Sequence, residues 1–145
     1  MEIYSIGFTQ KNASQFFGTL KLNGIERLLD VRLNNTSQLA GFAKQADLPY
    51  FLREICGADY EHEPLLAPTQ DILDAFKKHK GSWEVYTEAY LSLIQSRKVE
   101  LVLSRDSFLR KTVLLCSEAT ADHCHRRLAL EYLQRQWGGV RIVHL

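Results

Sequence analysis

The sequence predicts a single α/β domain with a central, mostly parallel sheet flanked by helices, in a Rossmann-like three-layer arrangement. Three observations predict this fold. Short apolar segments typical of buried strands alternate along the chain with longer segments whose apolar residues recur at helical intervals. This alternation is typical of parallel sheets whose connections are helices. With 145 residues, no repeat and no linker, the chain is assigned as one domain over residues 1–145.

Five segments have the character of strands. The clearest is TVLLC at 112–116, which is apolar after Thr112 and suits the centre of a parallel sheet. Residues 59–63 form a weaker candidate, typical of an edge strand, because charged residues dominate it and a proline follows. The other three strand candidates are 2–6, 25–31 and 140–145.

Residues that favour the start or the end of a helix indicate where helices lie between the strands. Asn12 to Gln15 has the spacing of a capping box, and Gly24 is expected to end that helix. Asp122 is a good N-cap for a helix that runs to Trp137. Further helices are predicted over 47–57, 69–79 and from Ser82 onward, 99–103 fits either a helix or a strand, and 33–46 is a long polar loop.

Composition indicates an ordinary globular protein. Apolar residues make up 46% and charged residues 24% of the chain, and the net charge of +1 gives no strong attraction to nucleic acid or anionic membranes. No apolar run approaches the roughly 20 residues of a membrane-spanning helix. Three cysteines at irregular spacing argue against a disulfide framework. We therefore expect no signal peptide, no membrane association and a cytoplasmic location.

Polar residues follow several of the predicted strands at the point where each strand ends. In parallel α/β sheets, ligands bind outside the carboxyl ends of the strands. Residues from segments distant in sequence are therefore expected to meet at one edge. These are Ser5 to Gly7, Asp30 to Arg32, Cys116 to Glu118, His144, and 123–126 at the start of the last helix.

Cys124 is the candidate nucleophile at this edge. A cysteine in the first turn of a helix is close to free N–H groups and to the positive end of the helix dipole, and both lower a thiol pKa. Glu118 or His125 would then act as acid or base. The alternative is that Cys124 packs below the helix start with no chemical role.

Arg32 and Arg126 are the candidates for holding an anion, because guanidinium groups bind oxyanions through two hydrogen bonds. Asp30 and Cys116 complete the predicted binding set, although Cys116 ends an apolar strand and is expected to be buried. No glycine-rich phosphate loop is present. The alternative is that Asp30, Arg32, Glu118 and Arg126 form structural ion pairs.

A metal site is not expected at this edge of the sheet. Cys116, Cys124 and His125 offer three ligands, with His123 or His144 as a fourth, but the paired Cys-x2-Cys spacing of structural zinc sites is absent. Neighbouring positions such as 124 and 125 also point about 100° apart on a helix, so both reach one ion only where the turn is irregular. We therefore expect no metal and no cofactor.

The chain resembles the domain-of-unknown-function family 488 essentially from end to end. The resemblance rests on Ile6-Gly7, on Asp30-Val31-Arg32, and above all on LLCSE at 114–118 followed by CHRR at 124–127. It implies an α/β fold and a site formed by Asp30, Arg32, Cys116, Glu118, Cys124, His125 and Arg126. It implies no established activity. Gly7-Phe8-Thr9 departs from the Gly-His-Ser that is common in the family at this place.

The residues predict an enzyme acting on, or a binder of, an anionic small molecule such as a nucleotide or another phosphorylated compound. They do not distinguish catalysis from binding. The alternative is a noncatalytic nucleic-acid or protein interaction module whose polar edge is structural. Its basic residues would be Lys77 to Lys80, Arg105, Arg110 and Lys111.

Overall fold

A computed structural model describes residues 1–36 and 41–145. Its strands are β1 (Glu2–Gly7), β2 (Arg27–Asp30), β3 (Asp59–His62), β4 (Thr112–Cys116) and β5 (Arg141–His144). They form one sheet in the order β3-β2-β4-β1-β5, and every neighbouring pair is parallel. The predicted parallel sheet is confirmed, with β3 at an edge as expected. The carboxyl ends of these strands therefore lie along one side of the sheet.

Helices cover both faces of the sheet. They are α1 (Ala13–Leu22), α2 (Leu48–Phe51, continued by a π-helical turn over Leu52–Cys56), α3 (Gln70–Lys77), α4 (Trp83–Ser96), α5 (Val99–Val102) and α6 (His125–Trp137). Short 3₁₀ turns span Gly41–Ala43, Pro64–Leu66 and Arg105–Leu109. The predicted three-layer α/β architecture is confirmed.

Two hydrophobic cores lie on opposite faces, because side chains alternate along each strand. Tyr4 and Leu115 pack with the apolar residues of α1 and α2, among them Phe16. Ile3 and Leu114 face the other way and pack with α4 and α6, among them Leu130. The sheet is thus buried on both sides, which explains why β4 is apolar from Val113 to Cys116.

Local sequence signals account for several helix ends. The Asn12 side chain accepts a hydrogen bond from the Gln15 backbone N–H at 2.8 Å, and the Gln15 side chain accepts one from the Asn12 N–H at 2.9 Å. The predicted capping box is therefore present. Gly57 ends the π-helical turn with a φ of 63°, in the left-handed region where glycine is favoured.

The predicted start of the last helix at Asp122 is wrong. Helix α6 begins at His125, and Cys124 is its N-cap, with extended backbone angles (φ −135°, ψ 138°) and no capping side chain. The Cys124 side chain is buried at the end of β4, whereas Asp122 is exposed. The tertiary burial of Cys124 therefore overrides the better capping propensity of Asp122.

Two further predictions concern residues 99–103, which fit either a helix or a strand, and the long loop at 33–46. Residues Val99–Val102 form a helix, so the helical alternative for 99–103 is the correct one. The predicted loop at 33–46 has no regular helix or strand in its described part apart from the short turn Gly41–Ala43. Residues 37–40 of that prediction lie outside the described residues. Across the described ranges, no helix combines the length and the apolar character needed to cross a bilayer.

Gly7 lies where two segments approach closely. A Cβ built at this position would overlap the backbone carbonyl of Glu118 and would come within 3.0 Å of the Arg126 guanidinium. The end of β1 therefore touches the loop that follows β4 only because residue 7 has no side chain.

We expect Gly7→Ala to lower the free energy of unfolding by about 2–3 kcal/mol, since the added methyl group must displace backbone. Urea denaturation measures this change. Gly18→Ala is the matched control, because Gly18 lies on the exposed side of α1 with nothing near its Cβ position. That control should be stabilised by about 0.5–1 kcal/mol. A Gly7→Ala protein as stable as the native one would contradict the close approach.

Candidate functional site

A cleft of about 180 Å³ opens at the carboxyl edge of the sheet. Four separate parts of the chain line it: the segment after β2, the end of β4 with the loop that follows, the start of α6, and α3 with α4. The structure thus brings five of the predicted site residues to one cleft: Arg32, Cys116, Glu118, Cys124 and His125. Asp30 and Arg126 lie behind its wall, fully buried.

Cys116, Cys124 and His125 form a compact cluster at the base of the cleft. One ligand atom from each lies within 4.8 Å of the other two, and all three residues are buried. The Cys116 Sγ lies 3.5 Å from the Nδ1 of His125. Cys116, at the end of β4, was expected to be buried, and it is.

The hydrogen bonds of His125 fix which ring nitrogen carries the proton. Its Nε2 lies 2.7 Å from the carbonyl oxygen of Val31. A carbonyl can only accept, so Nε2 must donate. In the neutral imidazole, Nδ1 then carries the free lone pair, and the Cys116 sulfur lies beside the ring, 3.5 Å from Nδ1 and 3.9 Å from Nε2. His125 is held in one orientation and one tautomer.

The two thiols differ in environment. The Cys116 sulfur accepts hydrogen bonds from the Cys124 thiol and from the backbone N–H groups of Ser117 and Glu118. These hydrogen bonds and the Arg126 charge lower the pKa of Cys116, although its burial acts in the opposite direction. Burial raises the pKa of Cys124, and its hydrogen bond to Cys116 adds to the increase. Cys124 is the N-cap and not a first-turn residue, so the premise for its predicted low pKa is wrong. Its nucleophilic role stays a prediction.

Arg126 is a buried cation with mostly neutral partners. Its Nε donates to the Ser5 hydroxyl at 3.1 Å, and its Nη1 donates to the Glu118 backbone carbonyl at 2.7 Å. The same Nη1 lies 3.6 Å from the Cys124 sulfur. Among residues 1–36 and 41–145, no carboxylate lies within ion-pair distance of this guanidinium.

The charge of Arg126 affects two other basic groups at the same edge. Burial lowers the pKa of Lys11, and the nearby Arg126 charge lowers it further. The pKa of His144 is lowered by the same two causes, burial first and then Arg126. The carboxyl edge of the sheet therefore carries a positive field that the surrounding side chains leave partly unbalanced.

Asp30 and Arg32 form a buried ion pair. Arg32 donates to the carboxylate from Nε and from Nη2, each at 2.8 Å, and Nη2 also donates to the Ala43 carbonyl at 2.7 Å. The Tyr60 hydroxyl adds a further hydrogen bond to Asp30 at 2.7 Å. This geometry matches the alternative that we left open for these two residues, a structural ion pair that joins the strand end to neighbouring loops.

Glu118 pairs with a lysine and not with Arg126. Its Oε1 lies 2.6 Å from the Nζ of Lys77, and both side chains are about half exposed at the mouth of the cleft. Only the backbone carbonyl of Glu118 contacts Arg126. Lys77 was predicted only as a basic residue of the nucleic-acid alternative, because nothing in the local sequence indicates that α3 ends beside the loop after β4.

Three further histidines of the edge lie apart from the cluster, and one of them is His62, whose Nε2 lies 3.0 Å from the Arg32 carbonyl oxygen. The His144 Nδ1 contacts the Ser5 hydroxyl at 2.5 Å, and the His123 ring packs on Trp83 with centroids 4.9 Å apart. None of these histidines belongs to the group of three ligand atoms. Ser5 was missed as an individual site residue, although a polar residue in an apolar strand is a signal that could have identified it.

We expect Asp30→Ala to lower the free energy of unfolding by about 3–5 kcal/mol, because it leaves the buried Arg32 charge without its partner. Asp59→Ala is the matched control. Asp59 pairs with Arg110 at 2.6 Å, but its side chain is 67% exposed. The control should cost less than about 1 kcal/mol. Equal losses in urea denaturation would refute the assigned structural role of the buried pair.

His144 is expected to titrate below its ordinary pKa of about 6.5 in NMR spectra. The Ser5 hydroxyl accepts from Arg126 and contacts His144 Nδ1, and burial and the Arg126 charge both disfavour the protonated imidazole. The unfolded chain then binds a proton more readily than the folded chain does. The contribution of His144 to stability is therefore complete above pH 6.5 and is lost as the pH falls through the folded-state pKa. His144→Gln should remove this part of the pH dependence, and a His144 pKa above 6.5 would contradict it.

Comparison with known proteins gives a family match. A family model described as "Domain of unknown function DUF488" matches residues 12–133. No curated protein and no solved structure shows a match. The matched region includes Asp30 with Arg32, both cluster cysteines, and Arg126 in α6. The chain therefore belongs to the DUF488 family of domains of unknown function.

Proposed function

We propose that this protein binds a small anionic molecule, of the phosphate or phosphorylated class, in the cleft at the carboxyl edge of its sheet and acts on it there. The observation that carries the proposal is the buried, partly unbalanced charge of Arg126 beside this cleft. A buried cation without an anion is unfavourable. A bound anion would supply the missing negative charge.

The size of the cleft supports a small ligand or a small part of a larger one. Its volume of about 180 Å³ is below the roughly 300–1,000 Å³ of sites that enclose a drug-sized molecule. A phosphate group or a single ring fits this volume. A whole nucleotide would place most of its atoms outside the cleft.

Lys77 is the cation best placed to contact the ligand directly. It lines the cleft, it is half exposed, and its present partner is the equally exposed Glu118. An exposed ion pair contributes little stability, so an entering anion can replace Glu118 at little cost. Arg32 is less available, because Asp30 occupies its Nε and Nη2.

Glu118 is the acid or base that best suits a reaction in this cleft. Its carboxylate is near solvent, and it becomes free when an anion takes its place on Lys77. The walls around it include the Phe76 and Tyr86 rings, which supply apolar contact for the rest of a ligand. His125 is less suited to proton transfer, because its Nε2 is committed to the Val31 carbonyl.

The alternative of a nucleic-acid interface has less support. Lys77 lies at the carboxyl edge of the sheet, whereas Arg110 and Lys111 precede β4 at the opposite edge. Arg110 is also paired with Asp59, and Arg105 donates to the Gly138 carbonyl. The basic residues therefore do not combine into one surface, as binding to a phosphate backbone requires.

Lys77→Ala is expected to weaken the binding of a phosphorylated ligand by about threefold to tenfold, through loss of one partly exposed charge contact. Isothermal titration calorimetry measures this, with inorganic phosphate, small phosphomonoesters and nucleoside monophosphates as probes. Lys78→Ala is the matched control, since Lys78 is the neighbouring lysine and pairs with Asp74 away from the cleft.

Two outcomes would overturn the proposal. One is that none of the three probe classes binds to the native protein. The other is that Lys77→Ala and Lys78→Ala weaken binding equally, which would mean that the probes respond to general surface charge and not to the cleft.

A further inference from the structure

We infer that Cys116, Cys124 and His125 form a site for a thiophilic divalent metal ion, with zinc the best match, in which the protein supplies three ligands and the cleft supplies the fourth position. This site lies at the base of the same cleft and shares Arg126 with the proposed anion site, but its ligands are not the residues proposed to contact the anion. Two thiolates and an imidazole favour zinc over magnesium or calcium, which prefer oxygen ligands.

The distances in the cluster suit a tetrahedral ion. Zinc–sulfur bonds of about 2.3 Å and zinc–nitrogen bonds of about 2.0–2.1 Å place sulfur and nitrogen about 3.6 Å apart at a tetrahedral angle. The observed distance from Cys116 Sγ to His125 Nδ1 is 3.5 Å. With every ligand atom within 4.8 Å of the others, small side-chain movements suffice to close the site.

The outer contacts of His125 are those of a metal ligand. Metal-binding histidines usually donate their second ring N–H to a carbonyl or a carboxylate, which fixes the tautomer and the orientation of the ring. Here the Nε2 of His125 donates to Val31 at 2.7 Å. The Cys116 sulfur lies 3.5 Å from Nδ1 and 3.9 Å from Nε2, beside the ring, so the ring must turn for the Nδ1 lone pair to point at a shared ion.

Charge also favours the thiolate form that a metal needs. Binding of a divalent ion releases one proton from each thiol, so the bound cluster has two negative sulfurs and one dipositive ion. The Nη1 of Arg126 lies 3.6 Å from the Cys124 sulfur and can donate to it. Arg126 then acts as a hydrogen-bond donor to a ligand and gains a partner of opposite charge.

The backbone at the start of α6 explains how adjacent residues reach one point. Two neighbouring residues within a helix diverge by about 100°. Cys124 has an extended conformation and only His125 is helical. The irregular turn therefore directs the Cys124 sulfur and the His125 ring toward Cys116, which removes the geometric objection to a shared ion.

The fourth position belongs to the cleft. All three ligands line it. His123 lines it too, but its ring packs on Trp83 and is not part of the group of ligand atoms. His144 contacts Ser5, and His62 contacts the Arg32 carbonyl. Three protein ligands with one open position are typical of catalytic zinc sites, and four protein ligands are typical of structural ones. Water or an oxygen of the substrate would complete the coordination.

The test uses the full chain, purified without a metal-affinity tag and without chelator. Elemental analysis should find about one zinc ion per chain after gel filtration. The protein loaded with Co²⁺ should show the visible absorption of a tetrahedral ion and a near-ultraviolet thiolate charge-transfer band. Cys116→Ser and Cys124→Ser should each weaken metal binding at least about tenfold, since even loss of an outer partner has an effect of this size.

Cys56→Ser is the matched control, because Cys56 is a free cysteine outside the cluster. It should leave the Co²⁺ spectrum unchanged. If the ligand variants fail to fold, thiol labelling of the native chain replaces them: zinc should protect two of the three cysteines from a disulfide reagent, and a chelator should restore their labelling.

Three results would overturn the metal site: a native chain that gives no tetrahedral Co²⁺ spectrum, a spectrum that Cys124→Ser leaves intact, or a Cys116–Cys124 disulfide with no bound metal. The titrations with phosphate probes, repeated on the chelated protein, separate this test from that of the proposed function. If anions still bind to the chelated protein, the proposed function is supported whatever the Co²⁺ spectra show. The elemental analysis and the spectra alone then decide whether the metal site exists.

Discussion

The burial of one guanidinium group, that of Arg126, governs the arrangement of the carboxyl edge. A buried cation must be fully hydrogen-bonded, and its donors here reach Ser5 in β1 and the Glu118 carbonyl in the loop after β4. That loop must fold back over the side chain, so the helix cannot begin until His125. Gly7 allows the loop to lie against β1, because a side chain at that position would occupy the space of the Glu118 carbonyl.

The two buried arginines at this edge have different consequences. Arg32 is neutralised by Asp30 through two hydrogen bonds, so the pair joins strand and loop without contributing net charge. Arg126 has no such carboxylate among the described residues, and its positive field reaches Lys11 and His144. The same residue type is thus structural in one case and a source of attraction for negative charge in the other. Their neighbours in the fold, and not their chemistry, make this difference.

Anion binding and metal binding are compatible in one cleft. The sulfurs and the imidazole lie at its base, while Lys77 and Glu118 lie at its mouth. An ion at the base would polarise an oxygen of a small anion, and the mouth would hold the rest of that molecule and supply a carboxylate for proton transfer. Arg126 would contribute to both, as a donor to the Cys124 sulfur and as a source of positive potential.

Periodic apolar patterns and helix caps were sufficient to predict the alternation of strands and helices, the parallel sheet and the edge at which polar residues converge. These features follow from the local preferences of the backbone and from the rule that parallel strands share one carboxyl edge. The start of α6 could not be predicted in this way, because burial of Cys124 and Arg126 outweighs the capping preference of Asp122. Only the tertiary structure decided that Asp30 pairs with Arg32, that Glu118 pairs with Lys77, and that Cys124 and His125 converge on Cys116. The contact of Glu118 with Lys77 and the convergence on Cys116 join segments that are far apart along the chain, and their spacing in sequence does not encode this distance in space. Asp30 and Arg32 are only two residues apart, and the tertiary structure decided that they are buried together as an ion pair.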